Sequence, residues 1–121
     1  MKASEILETY PKATTVIKQW YLEKILESLN NDSLPEDFKE HVRNEGVDDD
    51  KIVAVIEAGP RALFDVFDEN HIYIQINTNV PHFSYSINEG DVISGSWQLR
   101  KEAERAAIEQ AFELLNIKHE G

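Results

Sequence analysis

The spacing of apolar residues changes period part-way along this chain, and that change limits the folds open to it. Before residue 60, Val16, Ile17, Trp20, Ile25, Leu26 and Leu29 recur at helical intervals. Between His71 and Leu99 the repeat is two. Ile72, Ile74 and Ile76 alternate with His71, Tyr73, Gln75 and Asn77, and Phe83, Tyr85 and Ile87 alternate with His82, Ser84, Ser86 and Asn88. Ile93, Trp97 and Leu99 then alternate with Ser94, Ser96 and Gln98, and from Arg100 the helical interval returns. Period two is the repeat of a half-buried strand. The pattern predicts an α+β fold: N-terminal helices followed by a four-stranded antiparallel meander covered by a C-terminal helix.

Local signals set the expected boundaries. Ser4 is the expected N-cap of a first helix ending near Tyr10, because Pro11 cannot continue it. A second helix runs from Pro11 to about Asn30, and "NNDSLPED" reads as a loop. Pro35 starts a third helix with Phe38 and Val42 as its apolar stripe and Gly46 at its end. "DDDK" caps a fourth, carrying Ile52, Val53 and Ile56 and stopped by "AGP" at 58–60. "KIVAVI" can also be written as a strand; the acidic start and Gly-Pro stop favour helix. "ALFDVF" (62–67) is the expected first strand, "DEN" (68–70) a tight hairpin turn and "NEGD" a later one.

"RKEAERAAIEQAFELL" (100–115) contains no helix breaker. Ala103, Ala106, Ala107, Ala111 and Leu114 fall on one side, small enough for the helix to lie close to the sheet, while Ile108, Phe112 and Leu115 extend the apolar surface toward the N-terminal helices. The expected core joins Ile72, Ile74, Phe83, Tyr85, Trp97, Ala107, Ala111 and Leu114. With 121 residues, 41% of them hydrophobic, the chain is long enough for one self-supporting domain. Its parts would be helices over 1–58, sheet over 62–99 and the covering helix over 100–116.

Charge narrows the function. Twenty-three acids face twelve Lys and Arg, net −11, which works against phosphate binding and against docking on an anionic membrane. The acidity is regional: residues 32–69 carry net −8, whereas residues 1–31 are neutral. His71–Leu99 holds only two formal charges, Glu89 and Asp91. Its outward positions, including Tyr73 and Gln75, are amides, hydroxyls and a tyrosine, which are easier to desolvate than charges. A solvent-facing sheet rich in Ser and Asn accounts for that pattern; so does a contact face for a partner or for a homodimer. No cysteine is present, no apolar run approaches the ~20 residues of a membrane span, and the N-terminus has no signal-peptide core. The expected location is cytoplasmic.

Candidate chemistry is sparse. Asp37, His41 and Glu45 recur every four residues and would share a helix face, the spacing of metal ligands, but a solvated acidic face has the same spacing. His71 and His82 would flank neighbouring strands and could approach across the sheet. "DDD" (48–50) and "DVFDEN" (65–70) lack the order and the glycine of a calcium loop, and the five glycines form no phosphate-binding motif. No catalytic residue, metal or cofactor is expected.

The stretch from Arg100 resembles the last helix of double-stranded-RNA-binding domains. Arg100, Lys101, Ala103, Ala107, Ala111 and Phe112 fit its pattern, over about sixteen residues. Glu104 stands where that family has a phosphate-contacting lysine and Ile108 where it has an alanine, and "VPHF" (80–83) echoes its histidine signature too near the helix. The resemblance implies a meander followed by a helix; it does not carry RNA binding.

These features predict a non-enzymatic interaction protein that binds a basic protein partner, without contacting nucleic acid directly. Its contact residues would be Glu36, Asp37, Glu40, Glu45, Asp48, Asp49 and Asp50, with Tyr73 and Gln75 on the sheet. In type, though not in motif, such a chain is similar to acidic accessory proteins of phages and mobile elements, some of which imitate the charge of DNA. The alternative is a small-ligand binder or enzyme with a pocket between helices and sheet, lined by Tyr73, His71 or His82.

Overall fold

The computed structural model describes residues 2–28, 35–79, 82–88 and 92–120. Helix α1 (Ala3–Thr9) starts two residues earlier than Ser4 suggests: Lys2 occupies the N-cap position, and its carbonyl accepts from the amides of Glu5 and Ile6 at 3.0 and 3.1 Å. Ser4 is therefore inside the first turn and does not cap it. Helix α2 (Pro11–Ser28) follows after Tyr10 alone, with proline in the first position, where its missing N–H costs nothing. Leu29 and most of the expected loop "NNDSLPED" lie outside the described residues.

Helix α3 (Glu36–Glu45) follows Pro35 and ends at Gly46, whose φ of +68° and ψ of −158° belong to a region that glycine alone adopts freely. Its apolar stripe is not the one expected. Phe38 is 47% exposed, whereas Lys39 is buried together with part of Val42. Helix α4 (Asp49–Ala58) settles the ambiguity of "KIVAVI" as helix. The Asp48 side chain accepts from the Lys51 amide at 3.1 Å, and Ile52 and Ile56, four apart, are buried.

Residues 60–70 overturn the first-strand expectation. Pro60–Leu63 is a 3-10 turn that runs directly into helix α5 (Phe64–Glu69), and Asn70 is its C-cap in place of a hairpin turn. "ALFDVF" reads as β-prone by composition. Leu63, Val66 and Phe67 are nevertheless spaced three and four apart, and all three are fully buried. Alternation would have left Val66 on the face opposite Leu63 and Phe67. Tertiary burial decided between the two periods.

Among the described residues the sheet consequently has three strands rather than four: β1 (Ile74–Asn79), β2 (His82–Ile87) and β3 (Val92–Trp97), antiparallel in that order, with β2 central. Ile74 pairs with Ile87, and Asn79 with His82. Between β2 and β3 the register shifts: Phe83 pairs with Trp97, but Tyr85 pairs with Ser94. Two steps along β2 thus match three along β3. The simple alternation expected of Ile93 and Trp97 breaks there, and Ile93 stands opposite Ser86. Asn88, with φ +52°, begins the turn after β2; Glu89, Gly90 and Asp91 lie outside the described residues.

Helix α6 (Arg100–Lys118) packs on all three strands and on α2, α5 and the 3-10 turn. Ala103, Ala107 and Ala111 are fully buried, as their small size anticipates for a close helix–sheet contact, and Ala106 and Leu114 pack at the margin. Ile108, Phe112 and Leu115 are buried on the helical side, with the Phe112 ring edge-on to Phe67 at 5.8 Å. Of the expected core, Ile72, Tyr85, Ala107 and Ala111 are buried, and Ile74, Phe83, Trp97 and Leu114 are partly so. Tyr85 and Trp97 stack at 5.6 Å.

One buried polar side chain ties the ends of the chain together. Asn116, on the last turns of α6, accepts from the amides of Lys12 and Ala13 at 2.9 and 3.2 Å. Those are orphan donors of α2, which begins too abruptly after α1 to cap itself. No described helix is long and apolar enough to cross a membrane.

Candidate interaction surface

The acids expected to meet a partner are all exposed: Glu36, Asp37, Glu40 and Glu45 on α3, and Asp48, Asp49 and Asp50 at the start of α4. Their placement follows from local chemistry. Acids in the first turn of a helix oppose the partial positive charge of its N-terminus, worth ~0.3–1 kcal/mol at an exposed site. Both helices carry such acids, and Gly46 lets the chain turn between them.

The structure separates these seven acids by what they already do. Glu36 pairs with Lys39 at 3.5 Å and Glu40 with Arg43 at 3.4 Å, each three residues along α3. Asp49 reaches across to Lys18 of α2 at 2.6 Å, and Asp48 is the N-cap. Asp37, Glu45 and Asp50 form no ion pair with a described residue. These three and His41 are exposed, and the half-exposed Phe38 ring follows Asp37 on α3. The sequence pattern put Phe38 on the apolar stripe of α3 with Val42. Its real position follows from Lys39, whose stem takes the buried site while its ammonium stays with Glu36.

Asp37, His41 and Glu45 do share the exposed side of α3, but among the described residues no three metal-binding side chains converge. His71 and His82 do not approach. The register puts Asn79 opposite His82 at one end of β1 and Ile74 opposite Ile87 at the other, next to His71. His71, held at a φ of +62°, instead contacts the Tyr73 hydroxyl through Nδ1 at 2.9 Å.

Tyr73 and Gln75 are both exposed but belong to a different part of the molecule. The Tyr73 amide donates to Asn88 Oδ1 at 2.8 Å, and Gln75 lies opposite Ser86. β1 packs on β2, α5 and α6, whereas α3 packs on α2. The structure therefore does not bring the sheet residues to the acidic patch.

A third group of acids, Asp65, Asp68 and Glu69, lies on α5. Glu69 accepts from the Trp20 indole N–H, and Lys24 lies 5.5 Å from the centre of that ring. Desolvation, and then the neighbouring charge of Asp65, holds the Asp68 carboxyl above its ordinary value of 3.8. Burial followed by the same Asp65 charge raises the Tyr21 phenol.

Comparisons with protein-family models, curated proteins and solved structures found no match to the chain.

Proposed function

We propose that this chain is a non-enzymatic interaction protein whose acidic patch, on α3 and the first turn of α4, engages a basic protein partner. The observation that supports it most is that all seven acids are exposed on two consecutive helices while Asp37, Glu45 and Asp50 have no cation among the described residues. Uncompensated charge of one sign at a surface raises the encounter rate with an opposite charge more than it raises affinity. Phe38, 47% exposed among those acids, supplies the apolar contact that charge alone lacks. The same field repels nucleic-acid phosphates and anionic lipid heads. A partner that normally grips phosphates would present the complementary surface, so the protein acts as an inhibitor in the manner of a DNA mimic or as an adaptor.

The test starts with capture from the native host lysate at low and high salt, using the whole chain as bait. Association rates are then measured with the purified partner. Wild type should lose association rate steeply as salt rises, since the screening length is ~8 Å at physiological ionic strength. Phe38→Ala should mainly speed dissociation. A partner that binds equally at both salt concentrations would refute the acidic patch as its docking site.

A further inference from the structure

A second feature, independent of the acidic patch, concerns the Arg residues of this acidic chain. Between the 3-10 turn, β1 and the first turn of α6 lies a cleft of about 240 Å³, lined by Arg61, Phe64, Ile74, Gln75, Ile76, Arg100 and Glu104. Glu104 is only 8% exposed, yet among the described residues neither it nor either arginine forms an ion pair. The Glu104 carboxylate oxygens are not sealed from solvent, so they and the two guanidiniums open on the same cleft with their hydrogen-bonding capacity left to solvent. Arg100 is held in place by the Phe83 ring, 5.3 Å from its guanidinium carbon. As the first residue of α6 it also sits at the positive end of a 19-residue helix.

We propose that this cleft binds a free α-amino acid with an apolar side chain. The two guanidiniums receive the carboxylate, Glu104 receives the ammonium, and Phe64, Ile74 and Ile76 take the side chain, with the Gln75 amide at the rim. A plain anion such as phosphate satisfies the arginines and is repelled by Glu104; a plain cation has the opposite fault. A zwitterion satisfies both groups at once. The volume lies below the ~300 Å³ at which drug-sized pockets begin, which suits a ligand of this size.

The test uses the full chain labelled with nitrogen-15 and L-phenylalanine as probe. Saturable shifts of the backbone amides of Phe64, Gln75, Arg100 and Glu104 are expected, with a Kd of about 1 mM or tighter. N-acetyl-L-phenylalanine, lacking the ammonium, and L-phenylalaninamide, lacking the carboxylate, should each bind about tenfold more weakly or worse. Arg61→Ala, at an exposed position that leaves the core intact, should weaken L-phenylalanine by a similar factor. Glu104→Gln, judged only if its spectrum stays folded, should do so for the ammonium-bearing ligands alone. Unshifted cleft amides would overturn the proposal. Equal binding of all three ligands would also overturn it, because it would mean apolar adsorption without recognition of charge. So would unchanged binding by Arg61→Ala. An Arg100–Glu104 pair that closes in solution would show as the first of these outcomes.

Discussion

Single residues decide two matters that no pattern of apolar spacing addresses. Asn116 caps α2 from the far end of the chain, accepting from the amides of Lys12, 104 positions earlier, and Ala13 through one partly buried and one buried hydrogen bond. Asn116→Ala leaves those amides without an acceptor and should lower the unfolding free energy by about 1–3 kcal/mol, read from urea midpoints at constant slope. Asp68 acts in the opposite sense. Its folded-state pKa lies above 3.8, so the folded protein holds the proton more tightly than the unfolded chain does. The resulting cost is absent below the unfolded value and sets in as pH rises through the folded one. Asp68→Asn should therefore melt at a higher temperature than wild type at pH 7, and the difference should vanish below the ordinary value of 3.8. A constant difference across that range would mean that its cause is not the charge. Asn116 had no sequence signal because its partners are distant. Asp68 had a weak one, in the run of acids at 65, 68 and 69.

At the scale of elements, legibility followed the length of each periodic segment. α2 and α6, with 18 and 19 residues, could be read from spacing and breakers, and α4 from its acidic cap. The hairpin of β1 and β2 was legible because isoleucines and aromatics alternate against serines and amides. α5 was not, since six residues show too few repeats to separate a period of two from one of 3.6. Its buried triplet, Leu63, Val66 and Phe67, was the signal, and Pro60 marked the start. Phe67→Ala should cost about 3–5 kcal/mol, because it empties the site against Phe112. If residues 62–67 were instead an edge strand, the loss would be smaller and Val66→Thr would be benign. α6 offers a harder test. Ala107 is fully buried in its contact with the sheet, so Ala107→Glu places a charge where no partner waits. Little or no folded protein is expected by circular dichroism, and near-wild-type stability would show that this side of the helix faces solvent. The register shift in β3 was missed because Ile93, Trp97 and Leu99 keep an unbroken spacing of two, whereas one extra residue changes the parity and sets Val92 and Trp97, five apart, opposite Ile87 and Phe83.

Over the whole molecule, the two kinds of surface follow from one division of charge. The helical part concentrates the acids of residues 32–69, and the open side of the sheet stays neutral, with Gln75 exposed and Asn77 and Ser86 partly so. The region of the candidate site was therefore visible in the sequence, but the roles of its acids were not. Asp48 and Asp49 looked equivalent to Asp50 until the cap on Lys51 and the pair with Lys18 assigned them to the fold. The most direct test of the acidic-patch account is the association rate of the triple variant Asp37→Asn, Glu45→Gln, Asp50→Asn with the captured partner, measured across a salt series. The rate should fall at low salt, converge with wild type at high salt, and change far more than the dissociation rate. Identical association rates for variant and wild type at low salt would contradict the account.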